Sequence, residues 1–235
     1  MRKAILIVLA AALIGTPVAS ARTPGLGRAI RATESASSFR YSIVISVVRS
    51  SLPAQLTLRG VSGRGKLFVS ARQASGSAAA AMIDGPFFYE RAPNGVAVDG
   101  TIRWLRVPID ASGGSSAALN AVRTMTPAPL LRVLGESHAT PNQGSGFAGK
   151  VNYDDPIVRS AITRLSGGIE FHGLRVTGRL GEDGLIHGIR VTGITADGTT
   201  TLDIQARLFA FGRPVHLTPP AEGTFMDQQL MQLSE

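Results

Sequence analysis

The sequence predicts a β-dominated α+β domain, an antiparallel sheet with a few short helices packed over one face. Three observations predict it. Apolar and polar residues alternate with period two through most of the chain, the pattern of strands with one buried face. Turn dipeptides recur at Asp84-Gly85, Asn94-Gly95, Asp99-Gly100, Asp183-Gly184 and Asp197-Gly198; they supply the positive-φ residues of hairpins. Helical periodicity is confined to the middle of the chain.

The first 21 residues are expected to be a cleaved signal peptide. Arg2 and Lys3 form a positive start, Ala4 to Ile14 an unbroken apolar run, and Ala19-Ser20-Ala21 a small-residue cleavage pattern. The apolar run is shorter than the roughly 20 residues that span a bilayer. The mature chain is therefore expected to begin at Arg22, outside the cytoplasm, either secreted or periplasmic. About 214 residues then remain, which suits one domain large enough to bury a core of its own.

The chain has no cysteine, so no disulfide contributes to its stability and no thiol is offered to a lipid anchor. Its formal net charge is +8, carried by single arginines set between apolar positions. A nucleic-acid reader would show a basic patch with interleaved aromatics, and the sequence has none. A basic surface with some attraction to anionic headgroups or cell-wall polymers is the expectation.

Residues 22–38 are a Gly, Ser, Ala and Arg mixture, expected as a flexible leader or a short helix. Phe39, Tyr41, Ile43, Ile45 and Val47 then alternate as a strand. Leu56 and Leu58, followed by Leu67, Val69 and Ala71, make two more, with the Gly- and Arg-rich stretch 59–66 between them. Ile102 and Trp104 open a returning strand that runs to Pro108.

Three helices are expected next. Ser116 can cap an Ala-rich one that runs through Val122. Thr126-Pro127 opens a second, with Leu130, Leu131 and Leu134 apolar and Gly135 at its end. The third has Asp155 as N-cap, Pro156 in the first position, an apolar stripe of Ile157, Val158, Ala161, Ile162 and Leu165, and Gly167 as its stop. A strand around 147–153 separates the second from the third.

The last third divides at Asp183-Gly184 and Asp197-Gly198 into three strands. Treating both as two-residue hairpins sets Val176, Val191 and Ile204 side by side. Leu174, Gly193 and Leu202 form the next row, and Gly178, Ile189 and Ala206 another. The opposite face then holds Arg175, Thr192 and Asp203, with Thr177, Arg190 and Gln205 beside them. A three-residue loop at either turn would place Ile189 and Val191 among the arginines. Gly178, Gly188 and Gly193 would let this sheet curve. An apolar concavity under few helices is either room for a greasy ligand or ordinary packed core.

The order of these elements resembles the LolA-like carriers, above all the LppX/LprG-type lipid-binding lipoproteins. Three stretches carry the resemblance. They are Val98-Asp99-Gly100-Thr101-Ile102-Arg103-Trp104; Met125-Thr126-Pro127-Ala128-Pro129-Leu130-Leu131 with Val151 to Leu165; and Gly181-Glu182-Asp183-Gly184-Leu185-Ile186 with Phe211-Gly212-Arg213-Pro214-Val215 and Pro219-Pro220. The resemblance implies a strongly curved antiparallel half-barrel whose concave face is covered by short helices, in a single domain over 39–220 followed by a tail over 221–235. It also implies binding of lipid, glycolipid or lipoprotein acyl chains and their transfer across the envelope. The LppX/LprG type is anchored through a cysteine that this chain lacks.

On that reading Tyr41, Ile43, Ile45, Leu174, Val176, Ile189, Val191, Leu202 and Ile204 line the cavity. Ile157, Val158, Ala161, Ile162 and Leu165 form the gate helix. The partner is a lipid or acylated ligand, with transient contact to a membrane surface or a membrane protein, no nucleic acid, no cofactor and no metal. The protein is expected to be a monomer. The alternative is an exported structural, interaction or sensor domain of the same fold with a packed core.

No catalytic constellation is legible. His138, His172, His187 and His216 show no i, i+4 pair; His172 is expected opposite Thr195, far along the sheet from His187. Asp154-Asp155 is better explained by helix capping than as a carboxylate pair. Gly144-Ser145-Gly146 lacks the spacing of a nucleophile elbow, and Gly60 to Gly65 lacks the Lys-Ser/Thr of a phosphate loop.

Overall fold

The computed structural model describes residues 25–49, 52–76, 78–91, 103–109, 122–142 and 145–227. The expected signal peptide, the turns at Asn94-Gly95 and Asp99-Gly100, and the Ser116 cap lie outside these residues.

The described chain forms one sheet of twelve strands. In chain order they are β1 (Ser38–Arg49), β2 (Leu52–Gly63), β3 (Lys66–Gln73), β4 (Ala78–Asp84), β5 (Phe87–Arg91), β6 (Trp104–Pro108), β7 (Thr140–Asn142), β8 (Gly146–Lys150), β9 (His172–Leu180), β10 (Ile186–Ile194), β11 (Thr200–Phe209) and β12 (Phe225–Asp227). Their order across the sheet is β12-β6-β5-β4-β3-β2-β1-β11-β10-β9-β8-β7. All neighbours are antiparallel except β12 and β6. Helices α1 (Leu26–Glu34), α2 (Ala128–Gly135) and α3 (Pro156–Ser166) pack against it, and a helical turn ends at 122–124.

The central register is the one the alternation predicts. Val191 pairs with both Val176 and Ile204, Ile189 with Gly178 and Ala206, and Arg190 with Thr177 and Gln205. The β9–β10 hairpin reaches it by another route. Gly181 N–H donates to the Leu185 carbonyl at 2.9 Å and Gly184 N–H to the Gly181 carbonyl at 3.1 Å, which leaves a three-residue loop. That loop alone would turn Ile189 and Val191 outward. A bulge at His187, between the Ile186–Leu180 and Gly188–Arg179 pairs, restores the phase. A second irregularity sets His172 opposite Ile194 and not Thr195; Gly173 takes a φ of 59° there.

Hydrogen bonds from Thr195 and Thr199 hold the β10–β11 turn. They bring the Asp197 carboxyl down to about 2, because each bond is made to the charged form.

Within residues 22–38, expected as a flexible leader or a short helix, the described chain forms the short helix α1. Helix α1 buries Ala29, Ile30 and Thr33. Thr33 Oγ1 donates to the Ala29 carbonyl and accepts the Ile186 amide, both at 2.8 Å. That amide sits beside the His187 bulge, so the helix satisfies a donor the ladder leaves open. Within the expected tail β12 lies along β6, and Arg106 makes a two-point contact to Asp227 at 2.6 and 2.8 Å. Its guanidinium stands 4.8 Å from the Phe87 ring centroid and 4.3 Å from that of Phe225. These hydrogen bonds hold the Asp227 carboxyl below its ordinary range.

Helix α3 is built as its sequence specifies. Asp155 Oδ1 accepts the amides of Ile157 and Val158 at 2.8 and 3.2 Å, and Gly167 ends the helix at a φ of 72°. In α2, Gly135 stays within the helix and Glu136 is the C-cap, still right-handed. The helix ends without a left-handed glycine.

Tyr41 occupies the space over Gly60, where a Cβ would lie 2.2 Å from its ring. Its hydroxyl is buried and has no partner among the described residues, and burial pushes its pKa up. An unpaired buried hydroxyl costs about 1–3 kcal/mol. Tyr41→Phe is therefore expected to raise stability by about 1 kcal/mol in urea unfolding. A loss would mean that the hydroxyl has a partner.

Candidate ligand-binding site

The nine residues expected to line a cavity fall on one face of four adjacent strands. Tyr41, Ile43 and Ile45 come from β1, Leu202 and Ile204 from β11, Ile189 and Val191 from β10, and Leu174 and Val176 from β9. Alternation and pairing bring all nine together, and none is more than 3% exposed. The helices fill much of this wall. Leu134 of α2 reaches to 2.9 Å of where a Gly178 Cβ would stand, and Leu174 to 2.6 Å of the same point on Gly193. These two glycines make room for side chains over the sheet. Gly188 meets only ordinary contacts.

Helix α3 presents its stripe unevenly. Val158, Ala161 and Ile162 are buried, Leu165 is half-buried, and Ile157 is 44% exposed. The packing follows from the helix's placement against β1 and α2. Only residues on the side shared by sheet and α2 can be sealed.

Beyond the filled wall the same apolar face continues into a groove of about 490 Å³. Ile45, Val47, Ala54 and Leu56 form its sheet side, and Leu165 and Ile169, at the C-terminal end of α3, form the other. Its polar residues include Gln55, Gln73 and Ser166. Ile45 and Leu165 are the two residues expected from sequence that line it. Val47, Ala54, Leu56 and Ile169 were not expected as lining. Across the sheet a small cavity of about 100 Å³ lies under Val122 and Met125, against Val69, Ala71, Ala81 and Phe88. Among the described residues the β2–β5 half of the apolar face is thus less completely filled than the β9–β11 half.

A third hollow, about 630 Å³, lies between α2 and α3. Arg123, Arg132, Arg164 and Ile157 border it.

Two of the titratable groups singled out in the sequence have local structural partners. Asp155 is spent on capping α3, and His187 Nε2 lies 3.0 Å from both Asp183 carboxylate oxygens, in a pair at the β9–β10 turn. Among the described residues no three His, Asp or Glu side chains group as metal ligands. No helix among them is long and apolar enough to cross a membrane.

No protein-family model matches the chain, and no curated protein does. Among solved structures it is similar to the lipoprotein LppX of Mycobacterium tuberculosis, at 12% identity and a TM-score of 0.44, over 82% of this chain and 96% of that one. It is also similar to the MucA/MucB complex of Pseudomonas aeruginosa, at 14% identity and a TM-score of 0.36, over 84% of this chain and 57% of that one. A DUF1329 family protein of Desulfovibrio piger matches at 8% identity and a TM-score of 0.31, over 82% and 92%. At these identities and scores the likeness says nothing of what the chain binds.

Proposed function

We propose that this protein is exported, secreted or periplasmic, and carries acyl chains of lipid, glycolipid or lipoprotein across the envelope without chemistry of its own. The observation that carries this reading is the groove beneath the C-terminal end of α3. Its volume, about 490 Å³, falls within the roughly 300–1,000 Å³ of small-molecule sites. Its walls are aliphatic, and its polar groups sit beside them without a charged residue. Each methylene that leaves water contributes about 0.8 kcal/mol, so a chain that buries about ten or more gains about 8 kcal/mol or more against its ordering cost.

Helix α3 is the gate on this reading. Its N-terminal half is held by Val158 and Ile162, while its C-terminal end, at Leu165, borders the groove. A rotation about the packed half would widen the groove into the β2–β5 region. A pronounced curvature of the sheet, as in a half-barrel, would wrap it around a bound chain.

A second reading is an exported interaction domain with a packed core. It is favoured by the filled β9–β11 wall, where Leu134 seats over Gly178. Mass spectrometry of an organic extract of the protein exported by its native host separates the two. A carrier yields a stoichiometric lipid. A clean extract, from protein that also fails to bind a displaceable apolar dye, leaves the interaction domain.

A further inference from the structure

We infer that the face of the sheet opposite the helices docks on an anionic bilayer, with lipid phosphate seated in a trough around Gly188. The arginines are scattered in the sequence, but the register collects them. Arg179, Gly188, Arg207, Ser42, Arg59 and Ser70 form one continuous row across β9, β10, β11, β1, β2 and β3. With neighbouring strands about 4.8 Å apart, its three guanidinium-bearing positions recur at about 10 Å. Arg190 and Arg72 stand in the next row, and Arg175 and Lys150 in the one after it.

Among the described residues, few carboxylates stand within this field. The strands from β8 to β3 in sheet order contain a single carboxylate, Asp203. Arg190 already engages it through two hydrogen bonds of 2.9 and 3.0 Å. Arg59, Arg175, Arg179 and Arg207 make no ion pair among the described residues and are exposed. The trough, about 780 Å³, is bordered by Arg179, Arg190 and Arg207 together with Thr177, Gln205 and Ser145, and by no carboxylate. Gly188 has no side chain between the two arginine positions, and Arg179 Nε lies 3.7 Å from where its Cβ would stand, so that guanidinium reaches over the middle of the row.

Two features favour a bilayer over a linear polyanion. The cations form an array in two dimensions, rather than one line along a groove. Apolar side chains also stand at both ends of the array: Phe209, 45% exposed, beside Arg40 at one end, and Val48 and Ile194, 37% and 43% exposed, at the other. Three of the four large apolar residues exposed among the described residues therefore lie on this face. Apolar groups at the margin of a basic field suit the boundary between headgroups and acyl chains. Base-stacking aromatics, which a nucleic acid would use, are missing from the three arginine rows.

This docking face and the acyl groove lie on opposite faces of the sheet, so the inference stands or falls separately from the carrier reading. The test is co-sedimentation of the protein with phosphatidylglycerol/phosphatidylcholine vesicles and with phosphatidylcholine alone. Binding is expected only to the anionic vesicles, with salt weakening it. Arg179→Gln combined with Arg207→Gln should reduce the partition coefficient about 30-fold. Arg28→Gln with Arg31→Gln, an equal charge change on α1, should leave it within about threefold. Equal losses in both double variants would overturn the assigned face, since net charge alone would then explain binding.

Free glycerol phosphate and soluble polyphosphate supply the remaining arms. Weak competition from both supports a bilayer as the source of phosphate. Displacement of the vesicles by polyphosphate at equal phosphate concentration, dependent on Arg179 and Arg207, assigns the face to a linear polyanion and overturns the bilayer. Displacement by glycerol phosphate at micromolar concentration assigns it to a small soluble phosphate.

Discussion

A tryptophan at Ala54 is expected to abolish uptake of a fluorescent long-chain fatty acid while leaving thermal stability essentially unchanged. Ala54 sits opposite Val47, on the sheet side of the groove beneath Leu165 and Ile169. It is exposed, so an indole there displaces no packed neighbour. It would occupy the space an acyl chain needs and bring an aromatic residue to a strand position that favours one. A loss of at least tenfold in probe affinity is the expected result, with the melting temperature within about 2 °C of wild type. Unchanged uptake by a folded variant would remove this groove as the binding site. Vesicle docking should be indifferent to the substitution, because the arginine rows are on the other face.

Leu134→Ala has the opposite signature. Leu134 is fully buried and fills the space that Gly178 leaves open. Truncation removes apolar contacts and leaves a cavity between α2 and β9. The cost of such a change is about 2–5 kcal/mol. For a domain of this size that lowers the melting temperature by about 6–12 °C for a loss near 3 kcal/mol. A shift under 2 °C would mean that the β9–β11 wall is not tightly packed. That result would return the binding site to the wall of Leu174, Val176, Ile189 and Val191 that the strand pattern first suggests.

The contrast between these two residues shows what sequence patterns can locate. Leu134 belongs to an apolar helical stripe, and the alternation of β9, β10 and β11 makes their buried face readable. Ala54 carries no such signal. It lies at the start of a strand whose inward side is clear only at Leu56 and Leu58, and its part in a groove depends on Ile169, more than 100 residues away. Nothing in local periodicity reports whether a helix end rests on that part of the sheet or stops short of it.

The β9–β10 hairpin is instructive in the same way. Its register is correctly read from the apolar alternation, yet its loop has three residues, because the His187 bulge absorbs the extra one. Alternation reports which face each side chain must occupy. It is insensitive to compensating irregularities at the strand end. The role of α1 was likewise not read, although Leu26, Ala29, Ile30 and Thr33 fall at i, i+3, i+4 and i+7 and the last three are buried. It is held by the burial of Ala29 and Ile30 and by Thr33, which meets an amide beside the bulge.

The sequence by itself determined the β-dominated class, the faces of β1, β9, β10 and β11, and the caps of α3. These are set by side chains close together in the chain, through period-two alternation and through the Asp155-Pro156 and Gly167 signals. Only the tertiary structure decided which half of the apolar face is filled and which is a groove. It also decided that isolated arginines from β9, β11 and β2 share a single row. Both depend on strand order and on where helices land, and those are settled by the joint burial of residues far apart in the chain rather than by any one segment's preference.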